Sequence, residues 1–270
     1  MIRVEELTKV YTSGLIKKTY NKAVDSISFE VESGQTLGLI GESGCGKSTV
    51  ALMLTKLLEP TSGKIFLNGK DVSRIRGSEL KQYHRDVQII FQNPENALDP
   101  RMKIKNSILE AIRNYSIVPK GSASERDLLN ELMMMVGLQQ EHLDRYPWEL
   151  SGGQIQRAII ARVIALNPKV LVTDEPTSML DVSVQAQILT LLKNLQKEHG
   201  FAMLFISHDL DVVRAIAEDI IVMNHGQEVE RGSVDSVFLS PQKEYTKNLI
   251  KAFYYENEDN SGGIDVATDK

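Results

Sequence analysis

The feature that most constrains the fold is a glycine-rich loop, GESGCGKS at positions 41–48, set between two apolar segments. Its first and last glycines, Gly41 and Gly46, are separated by four residues and followed by Lys-Ser, which is the spacing of a phosphate-binding loop. The preceding run TLGLIG predicts a buried strand, and the following run KSTVALMLTKLL predicts a helix. A strand that passes through such a loop into a helix directs backbone N–H groups at a phosphate. The sequence therefore predicts a nucleotide-binding site in an α/β domain.

The residues of this loop have distinct expected roles. Lys47 is expected to reach the β- and γ-phosphates of ATP, and the Ser48 hydroxyl to ligate Mg²⁺. The set expected to bind the nucleotide is Gly41, Glu42, Ser43, Gly44, Cys45, Gly46, Lys47, Ser48 and Thr49. Because Cys45 lies inside the loop, we also expect that alkylation of its thiol blocks ATP binding. The alternative is an incidental glycine turn, which the flanking strand and helix disfavour.

A second apolar run, VLVTDE at positions 170–175, ends in two adjacent carboxylates. An open α/β sheet binds its ligands at the carboxyl ends of its strands, which is where Asp174 and Glu175 would lie. Asp174 suits the Mg²⁺ shell, and Glu175 could polarise an attacking water near the γ-phosphate. The alternative is a surface acid pair that closes a strand.

Alternating apolar and amphipathic segments predict a largely parallel sheet covered by helices on both faces. Further strands are predicted at 87–91, 169–174, 202–207 and 219–223, and a helix at 182–199. The apolar positions predicted to pack that helix on the core are Val182, Ala186, Leu189, Leu192 and Leu195. The first 35 residues and the segment 62–72 have turn signals such as Asn68-Gly69 and predict an antiparallel hairpin region. Residues 106–150 are predicted to be mostly helical.

A second glycine pair stands in LSGGQ at 150–154, directly before the helical run IQRAIIARVIAL. Adjacent glycines are unfavourable at a helix start unless the backbone must approach something closely, and an oxyanion is the usual ligand there. The chain thus contains two patterns suited to phosphate.

The motifs together resemble the ATP-binding cassette (ABC) family over nearly the whole chain. In chain order they are the glycine loop, Gln92 in IIFQNP, LSGGQ, the acids Asp174 and Glu175, the loop SMLD ending at Asp181, and His208 in FISHD. The resemblance implies an α/β P-loop NTPase (RecA-like) core with a small antiparallel β subdomain and an inserted helical subdomain at about 94–155. The ATPase domain is expected to span 1–255, and 256–270 to form an acidic, disordered tail.

In cassettes of this kind, two subunits pair head to tail, and each LSGGQ segment closes over the ATP held by the other subunit. By resemblance, Ser151, Gly152, Gly153 and Gln154 would bind the nucleotide from the opposite subunit, and Asp181 is also expected to be a nucleotide-binding residue. Glu175, His208 and Gln92 are the expected catalytic residues, and Ser48, Gln92 and Asp174 the expected Mg²⁺ ligands. Tyr11 is the favoured aromatic platform for adenine, with Tyr20 as the rival.

Finer resemblance points to the ATPase subunits of peptide and nickel importers, most nearly the second ATPase of their heterodimeric pair. It depends on IFQNPENALDPRMKI, LDVSVQAQIL, SHDLDVVRAIAEDIIVM and PQKEYTKNLI. The implied partners are a second ATPase, two transmembrane permease subunits and, indirectly, an extracytoplasmic solute-binding protein. A homodimer and a nickel or other small-solute cargo remain open. The expected location is the cytoplasmic face of the cell membrane.

The net charge and the sequence motifs disfavour the other classes of protein that contain a phosphate-binding loop. The net charge is −5, most of it in the last fifteen residues, and no basic patch for nucleic acid stands out. Chromosome and DNA-repair cassettes resemble this chain too, but no sustained heptad between Lys47 and Asp174 supplies their coiled-coil arms. A P-loop kinase or GTPase has no use for LSGGQ, and no Asn-Lys-x-Asp motif follows. We therefore expect a transport ATPase that binds no nucleic acid.

Overall fold

The computed structural model describes residues 1–14 and 19–261 and contains two β-sheets flanked by helices. The larger sheet has six strands in the order β10-β9-β3-β8-β7-β6. Their bounds are β3 Thr36–Ile40, β6 Val87–Ile90, β7 Val170–Asp174, β8 Ala202–Ile206, β9 Asp219–Asn224 and β10 Gln227–Ser233. All neighbours pair in parallel except the edge pair β9–β10. The predicted parallel sheet is confirmed, with strand ends that differ from the prediction by one residue.

The central strands are buried on both faces, which explains their continuous apolar runs. Because all five parallel strands point the same way, their carboxyl ends form one edge of the sheet. The loops that follow β3, β6, β7 and β8 meet at that edge.

The smaller sheet is antiparallel and has the order β2-β1-β4-β5. Its strands are β1 Ile2–Ser13, β2 Thr19–Val31, β4 Ser62–Leu67 and β5 Lys70–Asp71. Asn68 and Gly69 both have positive φ, 49° and 79°, as a two-residue hairpin turn requires. The predicted hairpin region is therefore confirmed.

Between β6 and β7 the described chain contains helices and no strand. The α-helices there are α3 Ile104–Asn114, α4 Ala123–Met135 and α5 Gly152–Ile164, whereas α2 Gly77–Asp86 precedes β6. Apolar side chains of α3, α4 and α5 pack together in the same core cluster that covers one face of the large sheet. This stretch contains the segment 94–155 for which the sequence predicts a helical subdomain.

Four further helices complete the part of the chain that packs on the large sheet. They are α1 Lys47–Leu54, α6 Val182–His199, α7 Leu210–Ile216 and α8 Val234–Leu239. The predicted start and end of α6 are confirmed, but its predicted core face is wrong at the first turn, because Val182 is 81% exposed and Ala186 is exposed. The buried stripe begins at Ile188, and at the start of the helix it is Val184 that packs, against Gly153 of α5.

The last helix, α9, runs over Glu244–Ser261. It includes residues 256–261, the first part of the segment that the sequence assigns to an acidic tail, and the disorder of that tail stays a prediction. Between Glu244 and Ser261 there is no proline or glycine to end the helix, and Gly262-Gly263 follow directly. The rest of the predicted tail, 262–270, lies outside the described residues. Among the helices described, none has the length and apolarity needed to cross a bilayer.

Candidate functional site: a phosphate-binding cleft

A cleft of about 430 Å³ lies at the carboxyl edge of the large sheet. The residues that line it are Ala23, Ser43, Gly44, Gly46, Lys47, Ser48, Thr49, Gln92, Glu175 and His208. The structure thus brings together the glycine loop after β3 with side chains that follow β6, β7 and β8. This is the edge at which open α/β sheets bind ligands.

The glycine loop can adopt its path only because Gly41 and Gly46 lack side chains. Gly46 has φ 112°, and a Cβ there would lie 2.3 Å from the Ala23 carbonyl oxygen. Gly41 has φ 147°, and its Cβ would lie 2.2 Å from the Met223 carbonyl oxygen. Both glycines are therefore needed for close approach to neighbouring backbone. Gly46 is also the N-cap of α1, so the loop leads directly into a helix N-terminus.

Lys47 is 6% exposed, and its ammonium group is held by the loop itself. Its Nζ donates to the Gly41 carbonyl at 2.6 Å and to the Glu42 carbonyl at 2.9 Å. The loop carbonyls therefore hold a positive charge at the wall of the cleft, where it would face an anion.

Asp174 ends β7 next to the first turn of α1. Burial raises the pKa of its carboxyl above the ordinary value, and a hydrogen bond from the Ser48 side chain only partly offsets this. The contact joins two of the three side chains predicted to bind Mg²⁺, a hydroxyl and a carboxylate.

Glu175 has an unusual backbone and two side-chain partners. Its φ is 50°, a left-handed conformation that is uncommon for a residue with a side chain and that clusters at functional sites. Its Oε2 accepts a hydrogen bond from Gln92 Nε2 at 2.6 Å, and its Oε1 lies 2.9 Å from His208 Nδ1. The Glu175 side chain is 16% exposed and the His208 side chain 59%. The carboxylate is thus held between an amide and an imidazole that remains open to the cleft.

The donor set fits Mg²⁺, which prefers a few oxygen ligands and keeps several waters. Ser48 and Asp174 supply a hydroxyl and a carboxylate, and the amide nitrogen of Gln92 binds Glu175, which leaves its amide oxygen for another partner. In the described part of the chain, no group of three or more His, Cys, Asp or Glu side chains is placed to bind a metal ion. A Mg²⁺ site here would therefore also need the hydroxyl and amide oxygens.

The LSGGQ segment lies outside this cleft and caps a helix. Ser151 is the N-cap of α5, and Gln154 completes a capping box: Ser151 Oγ accepts from Gln154 N at 3.4 Å, and Gln154 Oε1 accepts from Ser151 N at 3.0 Å. Ser151 and Gly152 are exposed. The structure therefore places this second anion-binding pattern on the surface, away from the first.

The glycine pair of this segment also has a packing reason that the sequence does not reveal. A Cβ on Gly153 would lie 2.6 Å from Val184 Cγ1, and one on Gly152 would lie 3.3 Å from Leu180 Cδ2. Both glycines let the start of α5 approach the start of α6. Helix packing therefore requires small residues at Gly152 and Gly153 even without a bound phosphate.

Asp181 and the two tyrosines do not line the cleft either. Asp181 is the N-cap of α6 and accepts from Val184 N at 3.0 Å, a bond that lowers the pKa of its carboxyl. Tyr11 pairs with Asn21 across β1 and β2, whereas Tyr20 pairs with Thr12, so the two tyrosines stand on opposite faces of this ribbon. They are 41% and 69% exposed.

Cys45 lies in the glycine loop but is not among the residues that line the cleft. Cys45 is 5% exposed, and burial raises the pKa of its thiol, although nearby Lys47 partly offsets the effect. The Cys45 sulfur lies 2.8 Å from the position of a Cβ on Gly41. The predicted block of ATP binding by alkylation thus requires the thiol first to become accessible.

We expect alkylation of the folded protein to be slower than that of the unfolded protein by about tenfold or more, because the thiolate is the reactive species and burial disfavours it. The chain has a single cysteine, so a thiol-reactive chromophore reports Cys45 alone. The reference is the same protein in denaturant. Equal rates in the two conditions would contradict the buried placement of the sulfur.

Two further residues near the site, Ala23 and Tyr245, were not predicted from the sequence. Ala23 lines the cleft from an irregular position in β2, where Lys22 and Val24 oppose consecutive residues of β1. Tyr245 of α9 contacts the glycine loop through the backbone N–H of Glu42. No local motif marks Ala23. Tyr245 is 203 positions from Glu42 in sequence, so only the folded chain brings the two residues together.

The fold, the glycine loop and the carboxylate clamped beside it define an ATPase of the P-loop class. Among known structures, the chain resembles a dimeric ATP-binding cassette, MJ0796, bound to ADP and Pi, with TM-score 0.76 and 29% identity over 87% of this chain and 99% of that one. It also resembles cbiO1 from Clostridium perfringens, part of the ABC transporter complex cbiONQ, with TM-score 0.76 and 26% identity over 95% and 98% of the two chains.

Curated relatives give the same class. A probable peptide ABC transporter ATP-binding protein of Sinorhizobium fredii is 44% identical over 93% of this chain and 72% of the relative. A di/tripeptide transport ATP-binding protein of Pseudomonas aeruginosa is 43% identical over 93% and 78%. The ABC transporter family model matches residues 24–178. The chain belongs to the ABC transporter family, as its motifs led us to expect.

Proposed function

We propose that this chain is the ATP-hydrolysing motor subunit of a membrane importer for peptides. The observation that carries the motor assignment is the Glu175 carboxylate, held between Gln92 and His208 in the cleft that the glycine loop lines. The peptide cargo is supported by relatives named as peptide, dipeptide and oligopeptide transport ATP-binding proteins. No other cargo has a specific observation in its favour.

In this proposal, the glycine loop and the N-terminus of α1 bind the phosphates of ATP through backbone N–H groups. Lys47 moves its ammonium from the loop carbonyls to the β- and γ-phosphates. Ser48, Asp174 and Gln92 would hold Mg²⁺, which would neutralise phosphate charge when bound. Tyr11, rather than Tyr20, stacks on adenine.

Glu175 accepts a proton from the attacking water or polarises it, which is the role of a general base. His208 keeps the carboxylate oriented through its Nδ1, and its exposed ring can contact the γ-phosphate. Gln92 holds the other carboxylate oxygen through its amide N–H. The three side chains follow three different strands, so their alignment depends on the sheet.

The exposed LSGGQ segment supports a head-to-tail dimer. In it, the Ser151 hydroxyl, the N–H of Gly153 and the N-terminus of α5 of one subunit complete the γ-phosphate site of the other. Gly152, Gln154 and Asp181 would lie at the same interface. ATP then joins the two subunits, and its hydrolysis releases them.

The proposed partners follow from this motor role. A second ATPase subunit pairs with this chain, and two permease subunits in the membrane receive the movement. A solute-binding protein outside the membrane would choose the cargo, so the motor itself needs no site for it. The chain would work on the cytoplasmic face of the membrane, without nucleic acid.

Ser151→Ala tests the dimer, with Ser122→Ala as the matched control. Both serines are N-caps whose side chains accept one backbone N–H, Ser151 on α5 and Ser122 on α4. Each variant should lose about 0.5–2 kcal/mol of stability. Only Ser151→Ala should also lose ATP-dependent association and most of the turnover.

Association is measured by light scattering with and without MgATP, on the chain alone and on the complex purified from membranes. Equal losses of turnover in the two variants would mean that Ser151 acts only as the N-cap of α5. If saturating MgATP never brings two ATPase subunits together in either preparation, the proposed motor is wrong.

A further inference from the structure

The C-terminal helix α9 begins next to the glycine loop, and its start is fixed by Glu230 of β10. The Glu230 carboxylate accepts hydrogen bonds from Gln242 N at 2.7 Å and from Lys243 N at 3.1 Å. These two N–H groups directly precede the helix and would otherwise need water. A carboxylate at this end also complements the helix dipole. The first turn of α9 therefore has a defined position relative to the large sheet.

From that first turn, Tyr245 reaches the glycine loop. Its Oη accepts a hydrogen bond from the backbone N–H of Glu42 at 3.4 Å. The ring is partly buried against the core cluster that covers the sheet. The phenol is thus held both by packing and by this contact.

The peptide unit that joins Gly41 to Glu42 also makes the shortest hydrogen bond of Lys47. The N–H of Glu42 and the carbonyl of Gly41 belong to one planar group, so neither can turn without the other. The Gly41 carbonyl accepts from Lys47 Nζ at 2.6 Å. One peptide plane is therefore held by Tyr245 on its N–H side and by Lys47 on its carbonyl side.

When ATP binds, Lys47 has to exchange this carbonyl for phosphate oxygens. The peptide plane then keeps only the partner on its N–H side. Gly41 has no side chain to restrict rotation of this plane, and its φ of 147° lies where other residues are rare. The hydrogen bond from the Glu42 N–H to Tyr245 would keep the loop conformation while Lys47 contacts phosphate instead of the Gly41 carbonyl.

We propose that Tyr245 is a positioning residue for Lys47, acting through the Gly41–Glu42 peptide. The inference rests on the proposed role of Lys47 in binding the phosphates of ATP. It extends the nucleotide site to a helix 203 positions away in sequence from the loop it contacts. Tyr245 touches neither ATP nor the attacking water.

The competing explanation is that Tyr245 only anchors α9 by packing. Tyr245→Phe separates the two, because it keeps the ring and removes only the hydroxyl. Tyr254→Phe is the matched control, since Tyr254 lies on the same helix and its hydroxyl makes a bond of the same length, 3.4 Å, to Asp211 Oδ1.

The measurement is the affinity of the full chain for a fluorescent ATP analogue, with thermal unfolding recorded for each variant. Tyr245→Phe should weaken binding by up to about fivefold, the limit reached when one neutral hydrogen bond, worth about 1 kcal/mol, stabilises only the ATP-bound loop. Tyr254→Phe should bind as the wild type does. In a Lys47→Ala chain, Tyr245→Phe should cause no further loss, because the residue it positions is gone.

Each outcome has a distinct meaning. If Lys47→Ala binds as the wild type does, the proposed phosphate role of Lys47 fails first. If Lys47→Ala weakens binding but Tyr245→Phe does not, only the positioning role is wrong. An equal loss in both tyrosine variants, or an undiminished loss in the Lys47→Ala chain, would assign Tyr245 to general packing.

Discussion

Glu175→Gln is expected to keep ATP bound while turnover falls by about 10²–10⁴-fold, the range typical of losing a general base. The amide has almost the shape of the carboxylate, so it can still accept from Gln92 and face His208. It cannot take a proton from water. ATP that binds but is not hydrolysed should hold the subunits together, and the ATP-dependent dimer should therefore last longer than in the wild type.

Phosphate release and light scattering, recorded on the same preparation, check both parts. Glu79→Gln is a suitable control, because Glu79 forms an exposed ion pair with Lys70 on the surface and does not line the cleft. Turnover at the wild-type rate in Glu175→Gln would remove Glu175 from its assigned role.

Gly46→Ala should strongly destabilise the glycine loop. An L-residue in the left-handed region costs about 1–2 kcal/mol, and its Cβ would lie 2.3 Å from the Ala23 carbonyl oxygen, which belongs to backbone and cannot easily move. Overpacking of that kind adds about 1–3 kcal/mol. We expect a loss of about 3 kcal/mol or more and, with it, loss of ATP binding.

Gly44→Ala is the matched control, because Gly44 also has a positive φ, 79°, but a Cβ there meets nothing within 4 Å. It should lose only the conformational cost, about 1–2 kcal/mol. Thermal unfolding without nucleotide measures the difference, about 2–4 °C in Tm per kcal/mol for a chain of roughly this size. Equal losses in the two variants would mean that the contact with Ala23 does not constrain the loop.

The elements predicted best from the sequence are those specified by local chemistry. Strand β3, the glycine loop and the start of α1 follow from apolar character, glycine and helix propensity within twenty residues. The grouping of Gln92, Glu175 and His208 was expected from the resemblance, and the parallel sheet explains it, because each follows the carboxyl end of a strand. Their hydrogen bonds to one another could not be read from spacing.

What the sequence failed to predict depends on distant neighbours. Val182 fits the apolar stripe of α6 but is 81% exposed. The approach of Gly46 to the Ala23 carbonyl and that of Gly153 to Val184 each join residues that are tens of positions apart. Local pattern carries no information about such contacts.

The hydrogen bond from Glu175 N to the Ile206 carbonyl, 2.9 Å long, extends the ladder between β7 and β8 past the last residue of β7. Glu175 and His208 therefore follow two directly paired strands, β7 and β8, of one hydrogen-bonded lattice. The distance between the two residues is set by backbone hydrogen bonds and not by a bound nucleotide. Gln92 follows the outermost strand of that lattice, with only one neighbour. Backbone amide hydrogens of β7 and β8, which precede Glu175 and His208, should therefore exchange more slowly than those of β6, which precedes Gln92.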